Sequence, residues 1–185
     1  SGDPIPLATT AADERRAAAS PDGRLAYRHV DRSGAGSIRV RAADADGGAQ
    51  GVILTQGGRF CGWTLFLKDG KPVFHYNHSG VYRYDLAGVQ PLAPGKHTIE
   101  VTFDYQGDKT PGGPAQAKLL VDGNEVAEKK YEFTIGYRVS IDETLDCGED
   151  TGTPASEAYK VPFHFTGKIG KVTINLADHK LTDED

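Results

Sequence analysis

The chain has 185 residues, 23 of them glycine and 10 proline, and a formal net charge of −5. Gly and Pro together make up about 18% of it, against roughly 12% in an average globular chain, which favours short elements joined by many turns. No run approaches the roughly 18 apolar residues of a membrane span, and the acidic excess argues against a nucleic-acid phosphate backbone as main partner.

The sequence contains no Met and opens Ser1-Gly2, which reads as a mature or excised piece of a longer chain. Residues 1–36 form an N-terminal extension or linker. Their Ala-rich part carries charges at Asp13, Glu14, Arg15 and Arg16 but little apolar periodicity. A Pro21-Asp22-Gly23 turn precedes a first predicted strand at 24–30. The domain proper spans 37–185. In 37–42, Ile38 and Val40 alternate with Arg39 and Arg41, a half-exposed strand. The continuous apolar run Val52-Ile53-Leu54 marks 51–56 as a more central one.

Strands at 62–68 and 71–76 flank Asp69-Gly70, and strands at 116–121 and 124–131 flank Asp122-Gly123. Asp-Gly between alternating segments is a hairpin signal because Gly accepts φ > 0. Further strands are predicted at 81–86, 96–105, 137–145, 161–166 and 168–176. Residues 96–105 place Ile99, Val101, Phe103 and Tyr105 on one face. About ten strands and no long helix imply two packed antiparallel sheets, an all-β sandwich of jelly-roll type.

Two clusters invite a functional reading. Asp142, Glu143, Asp146, Glu149 and Asp150 put five carboxylates within nine residues with no Lys or Arg among them. Hard oxygen ligands at flexible spacing suit Ca²⁺. The EF-hand frame fails, since Thr151 stands where its glycine belongs, and a solvated loop whose side chains cap the local backbone is the alternative. Trp63, Tyr76, Asn77, Tyr82 and Tyr84 form an aromatic-rich stretch able to present flat platforms to a carbohydrate. Trp63 shares parity with Leu65 and Leu67 and so points toward the core, whereas Tyr82 and Tyr84 share a face that can be exposed. His75 and His78 fall on opposite faces of a strand, and no catalytic Ser-His-Asp arrangement is legible.

Several stretches carry a more specific pattern: GVILTQGGRFCGW at 51–63, continuing TLFLKDGKPVFHYN to Asn77; PGKHTIEVTF at 94–103; LVDGNEV at 120–126; IDETLDCGEDTGTPAS at 141–156; and FHFTGKIGKVTI at 163–174. In this order and spacing they resemble the C-terminal accessory region of bacterial arylsulfatases, over about residues 46–176. The resemblance implies a concanavalin A-like or laminin G-like sandwich. It further implies a non-catalytic accessory domain that packs on a sulfatase-type catalytic domain or assists substrate recognition. The nucleophile context Cys/Ser-x-Pro-x-Arg that such sulfatases require is absent, because Cys61 precedes Gly62-Trp63 and Cys147 precedes Gly148-Glu149. Hydrolysis would then belong to a parent chain or to a relative.

In the family pattern positions 61 and 147 are usually Gly and a β-branched residue. Their joint replacement by Cys reads as a disulfide across the sandwich, worth roughly 4–5 kcal/mol for a loop of about 87 residues and placing the domain in a secreted or periplasmic compartment. Two independent buried thiols are the alternative. The second functional reading is a free-standing carbohydrate-binding module, calcium-dependent if the acidic loop holds the ion.

Overall fold

The computed structural model describes residues 48–107, 111–136, 143 and 145–176, together with the backbone of 18–19, 25–26 and 36–45. Among the described residues the chain forms β1 (Ala18–Ala19), β2 (Leu25–Ala26), β3 (Gly36–Ala45), β4 (Gly51–Gly57), β5 (Gly62–Lys68), β6 (Lys71–His78), β7 (Tyr82–Ala87), β8 (Gly95–Tyr105), β9 (Ala115–Val121), β10 (Asn124–Tyr131), β11 (Leu145–Cys147) and β12 (Lys168–Leu176). They build a seven-stranded sheet of order β1-β2-β11-β4-β5-β6-β7 and a five-stranded sheet of order β10-β9-β8-β3-β12. Each described pairing is antiparallel. The all-β, jelly-roll sandwich expected from the sequence is therefore the observed fold.

Both Asp-Gly hairpins form as expected. Asp69 and Gly70 have φ of 52° and 73°, Asp122 and Gly123 of 50° and 82°, the positive pair that matches the right-handed twist of the flanking strands. Between the sheets lies the main core, where Ile53, Leu54, Leu65, Leu67, Phe74 and Leu86 meet Ile99, Val101, Ala117, Leu119 and Tyr131.

The run Val52-Ile53-Leu54 is apolar throughout because β4 is covered on both sides. A bulge between Val52 and Leu54 sends Ile53 and Leu54 into the main core. Val52 turns outward to a second cluster with Phe66 and Tyr159, packed against Val73, Val161 and Phe163. That cluster lies under a strap, residues 148–166, which crosses the outer face of the seven-stranded sheet.

The strand predicted at 161–166 is part of this strap and not of a sheet. Its alternation reflects Val161 and Phe163 pressed onto the outer face, and Pro162 lacks the N–H a ladder needs. The strap is tied down by Gly148 N–H to Ile53 O (3.0 Å), Val52 N–H to Phe163 O (3.0 Å), Phe165 N–H to Gly148 O (2.8 Å) and Thr166 N–H to Gln50 O (2.8 Å). It passes so close to β4 that a Cβ on Gly51 would lie 2.0 Å from His164 O, so position 51 admits only glycine. Of the strand predicted at 137–145, Leu145 alone falls within β11; residues 137–142 and 144 lie outside the described residues. No helix among the described residues is long and apolar enough to cross a membrane.

Candidate functional site: a rim of two hairpin tips

The outer face of the seven-stranded sheet carries a polar row. Asp146, Thr55, Thr64, His75 and Asp85 pair in succession across β11, β4, β5, β6 and β7. Thr55, Thr64 and His75 are buried. His75 Nδ1 lies 2.6 Å from Asp85 Oδ1, and that hydrogen bond holds the Asp85 carboxyl below its ordinary range. His75 Nε2 is buried without a hydrogen-bond partner. The strap closes over the row: Tyr159 Oη donates to Asp150 Oδ2 (2.6 Å) and lies 3.3 Å from Thr64 Oγ1. Burial pushes the Asp150 carboxyl up against the opposing pull of the Tyr159 and Ala155 hydrogen bonds, and the charges of Glu143 and Asp146 add to the rise.

One level along the face, Asn77 is fully buried on β6 and holds the loops above it. Its Nδ2 donates to Gly58 O (3.1 Å), Arg59 O (2.8 Å) and Ala155 O (3.4 Å), while its Oδ1 accepts Gly80 N–H (2.9 Å). The β4–β5 tip, the β6–β7 tip and the strap are thus bolted to one side chain. A second fastening comes from Glu143. Its carboxylate accepts from Thr153 N–H (3.2 Å) and Thr153 Oγ1 (2.5 Å), and Thr153 Oγ1 accepts Arg59 N–H (2.9 Å). A Cβ on Gly58 would come within 2.1 Å of Glu143 Oε2, and one on Gly152 within 2.7 Å. The two signature stretches, GGRFCGW and DETLDCGEDTGTP, are therefore the two halves of one latch.

Among the described residues the acidic loop gathers no calcium-binding group. Each described carboxylate turns to its own partner: Glu143 to Thr153, Asp146 to Thr151 (3.1 Å), Glu149 to His164 (2.9 Å) and Asp150 to Tyr159. Among the described residues no three His, Cys, Asp or Glu side chains gather into a metal-binding group. Asp142 lies outside the described residues.

The expected disulfide is likewise absent, and both thiols are free. Cys147 pairs with Leu54 on one side of β4, whereas Cys61 ends the β4–β5 turn on the other side, its carbonyl accepting Gly58 N–H. Both belong to the seven-stranded sheet, so they do not face each other across the sandwich. Two strand spacings, about 9–10 Å, exceed the roughly 7 Å Cα separation that a disulfide tolerates.

Of the five residues expected to contact a ligand, Tyr82 is the one the structure leaves well exposed, at 39%. Asn77 is consumed by the loops. Tyr76 is buried, stacked on Phe103 and Tyr131, with its Oη accepting Ile135 N–H (2.8 Å). Trp63 packs against Phe74 on the main core, and Tyr84 stacks on Tyr131 at 4.5 Å. Around Tyr82 the structure adds residues that strand parity did not mark. Phe133 lies 4.8 Å away and is 42% exposed, and Tyr82 is backed by the parallel ring of His78 at 5.7 Å. The two bolted tips project Phe60 (78% exposed) and Val81 (74%), with Arg59 also at the surface. Phe60 had one legible signal: an aromatic between Gly57-Gly58 and Gly62 sits in a turn too tight to bury it.

The fold is an antiparallel β-sandwich of the laminin G-like, jelly-roll type. It is similar to domains LG4-5 of the mouse laminin alpha1 chain, with a TM-score of 0.55 and 18% identity over 81% of this chain and 38% of that one. It is also similar to the CBM40 module of the Ruminococcus gnavus IT-sialidase bound to alpha2,3 sialyllactose, with a TM-score of 0.51 and 17% identity over 82% and 80% of the two chains. The leech intramolecular trans-sialidase is a third, with a TM-score of 0.50 and 17% identity, 83% of this chain covering 22% of that one. At these identities the likeness is one of fold. No family model and no curated protein matches the chain, so the arylsulfatase likeness rests on the signature stretches alone.

Proposed function

We propose that the chain is a non-catalytic binding module that takes a carbohydrate at the rim formed by Phe60, Val81, Tyr82 and Phe133. The observation that carries this reading is the fastening of the two tips that carry Phe60 and Val81. Exposed apolar side chains ordinarily cost little and order nothing, yet here Asn77, Glu143 and Thr153 fix the backbone beneath them. A preordered apolar and aromatic surface loses little entropy on binding, and the flat face of a ring complements the C–H face of a sugar. The likeness in fold to a sialidase-associated module whose solved structure holds sialyllactose supports the same reading. A glycan ligand accords with a secreted or periplasmic location, which fractionation of the native host tests.

A glycan-binding screen of the intact chain is expected to find ligands equally with Ca²⁺ and with EDTA. Tyr82→Ala or Phe133→Ala should weaken the best one about tenfold, the loss of one stacking contact of roughly 1–1.5 kcal/mol. No binding to any glycan in either buffer overturns the reading. The meeting of the two signature stretches in one latch favours a second role, that of an accessory domain beside a sulfatase-type catalytic domain. Co-purification of such a domain through a surface that survives Tyr82→Ala would support it.

A further inference from the structure

We infer that the sugar bound at the rim bears an acid group, a carboxylate or a sulfate, and that Arg59 is its anchor. This rests on the carbohydrate reading of the rim and names its ligand class. Arg59 is exposed, yet its backbone is fixed on both sides, its N–H on Thr153 Oγ1 (2.9 Å) and its carbonyl on Asn77 Nδ2 (2.8 Å). Its guanidinium makes no hydrogen bond or ion pair among the described residues, although the chain as a whole has a net charge of −5.

The nearby carboxylates are engaged elsewhere. Glu143 is spent on Thr153, and Glu157 pairs with Arg83 at 3.2 Å. Arg83 stands behind the second tip, its Nε donating to Gly80 O (3.3 Å). The Glu157 side chain is 81% exposed, so its pair with Arg83 is screened by water and readily exchanged for a ligand acid. The tips converge at Gly80, where a Cβ would lie 3.6 Å from Arg83 Nη2 and 3.9 Å from Arg59 O. The Arg83 guanidinium and the Arg59 backbone thus meet at a turn edged by Phe60, Val81 and Tyr82. A planar guanidinium offers a carboxylate or sulfate paired N–H donors, and the apolar neighbours reduce competition from water.

The test is calorimetric titration of the intact chain with lactose, 3′-sialyllactose and 3′-sulfated lactose. At least one acidic sugar is expected to bind tenfold or more tightly than lactose. Arg59→Gln should bring the acidic sugar down to the affinity of lactose with the melting temperature unchanged, and rising salt should narrow the gap in the wild type. The carboxylate and sulfate arms show which acid the site prefers. Equal binding of neutral and acidic sugars, or a gap that survives Arg59→Gln, overturns the acid inference and leaves the carbohydrate reading standing. Absence of binding to any glycan in the wider screen overturns both.

Discussion

Burying Asp150 beneath the strap turns a surface-type residue into a pH-sensitive one. Its carboxyl is raised above the ordinary 3.8, first by desolvation and then by the neighbouring Glu143 and Asp146 charges. Between 3.8 and its raised native value the folded state holds a proton that the unfolded state has released. Stability contributed by this group is therefore present at lower pH and declines as pH rises through that window. Asp150→Asn keeps an acceptor for the Tyr159 hydroxyl and removes the ionisation. Urea melts across a pH series should show a flatter profile for the variant, with stability at neutral pH equal to or above that of the wild type. An unchanged slope would show that another group carries it. At this scale little was legible in the sequence. An Asp in an acidic run looks solvated, and an Asn beside tyrosines looks like a ligand contact, because nothing local announces that a strap 70 or more residues away will cover Asn77.

At the scale of elements, the latch couples residues 85 positions apart. Glu143 occupies the space a Cβ on Gly58 would need, so Gly58→Ala and Glu143→Ala should each cost about 1–2 kcal/mol through the same lost hydrogen bonds. Once Glu143 is gone, Gly58→Ala has room. Denaturation of the two single variants and the double is expected to give strong non-additivity, the double costing about as much as either single. Additive costs would mean that the two positions act separately. The hairpins and most strands were legible because the cues are short-range: Asp-Gly at 69–70 and 122–123, and alternation along β8 and β12. Residues 161–166 alternate too, yet they form no ladder, since packing onto an outer sheet face demands the same pattern as pairing within a sheet. The cysteine pairing failed because sequence gives no register, and register alone places β4 between Cys61 and Cys147.

Across the whole molecule, the seven-stranded sheet is sandwiched twice, by the five-stranded sheet on one side and by the strap on the other. The strap closes on itself through Phe165 N–H to Gly148 O, so it can lift without unpairing a strand of either sheet. Such a unit opens at lower free energy than the core. In native-state hydrogen exchange the amides of Val52 and Thr166 should therefore exchange together, and faster than those of Leu65 and Phe66 in β5. Equal protection of both sets would make the strap an integral part of the core. Fold class was the most legible property at this scale, because turn density and alternation sum over the entire chain. The rim was the least, since Phe60, the Val81-Tyr82 pair and Phe133 come from three separate segments.

Separation of the two thiols also bears on where the chain can be made. Burial pushes the Cys147 thiol up, which keeps it protonated and chemically quiet at neutral pH. With both thiols free, the same protein should be recovered from a reducing cytosol as from an oxidising envelope.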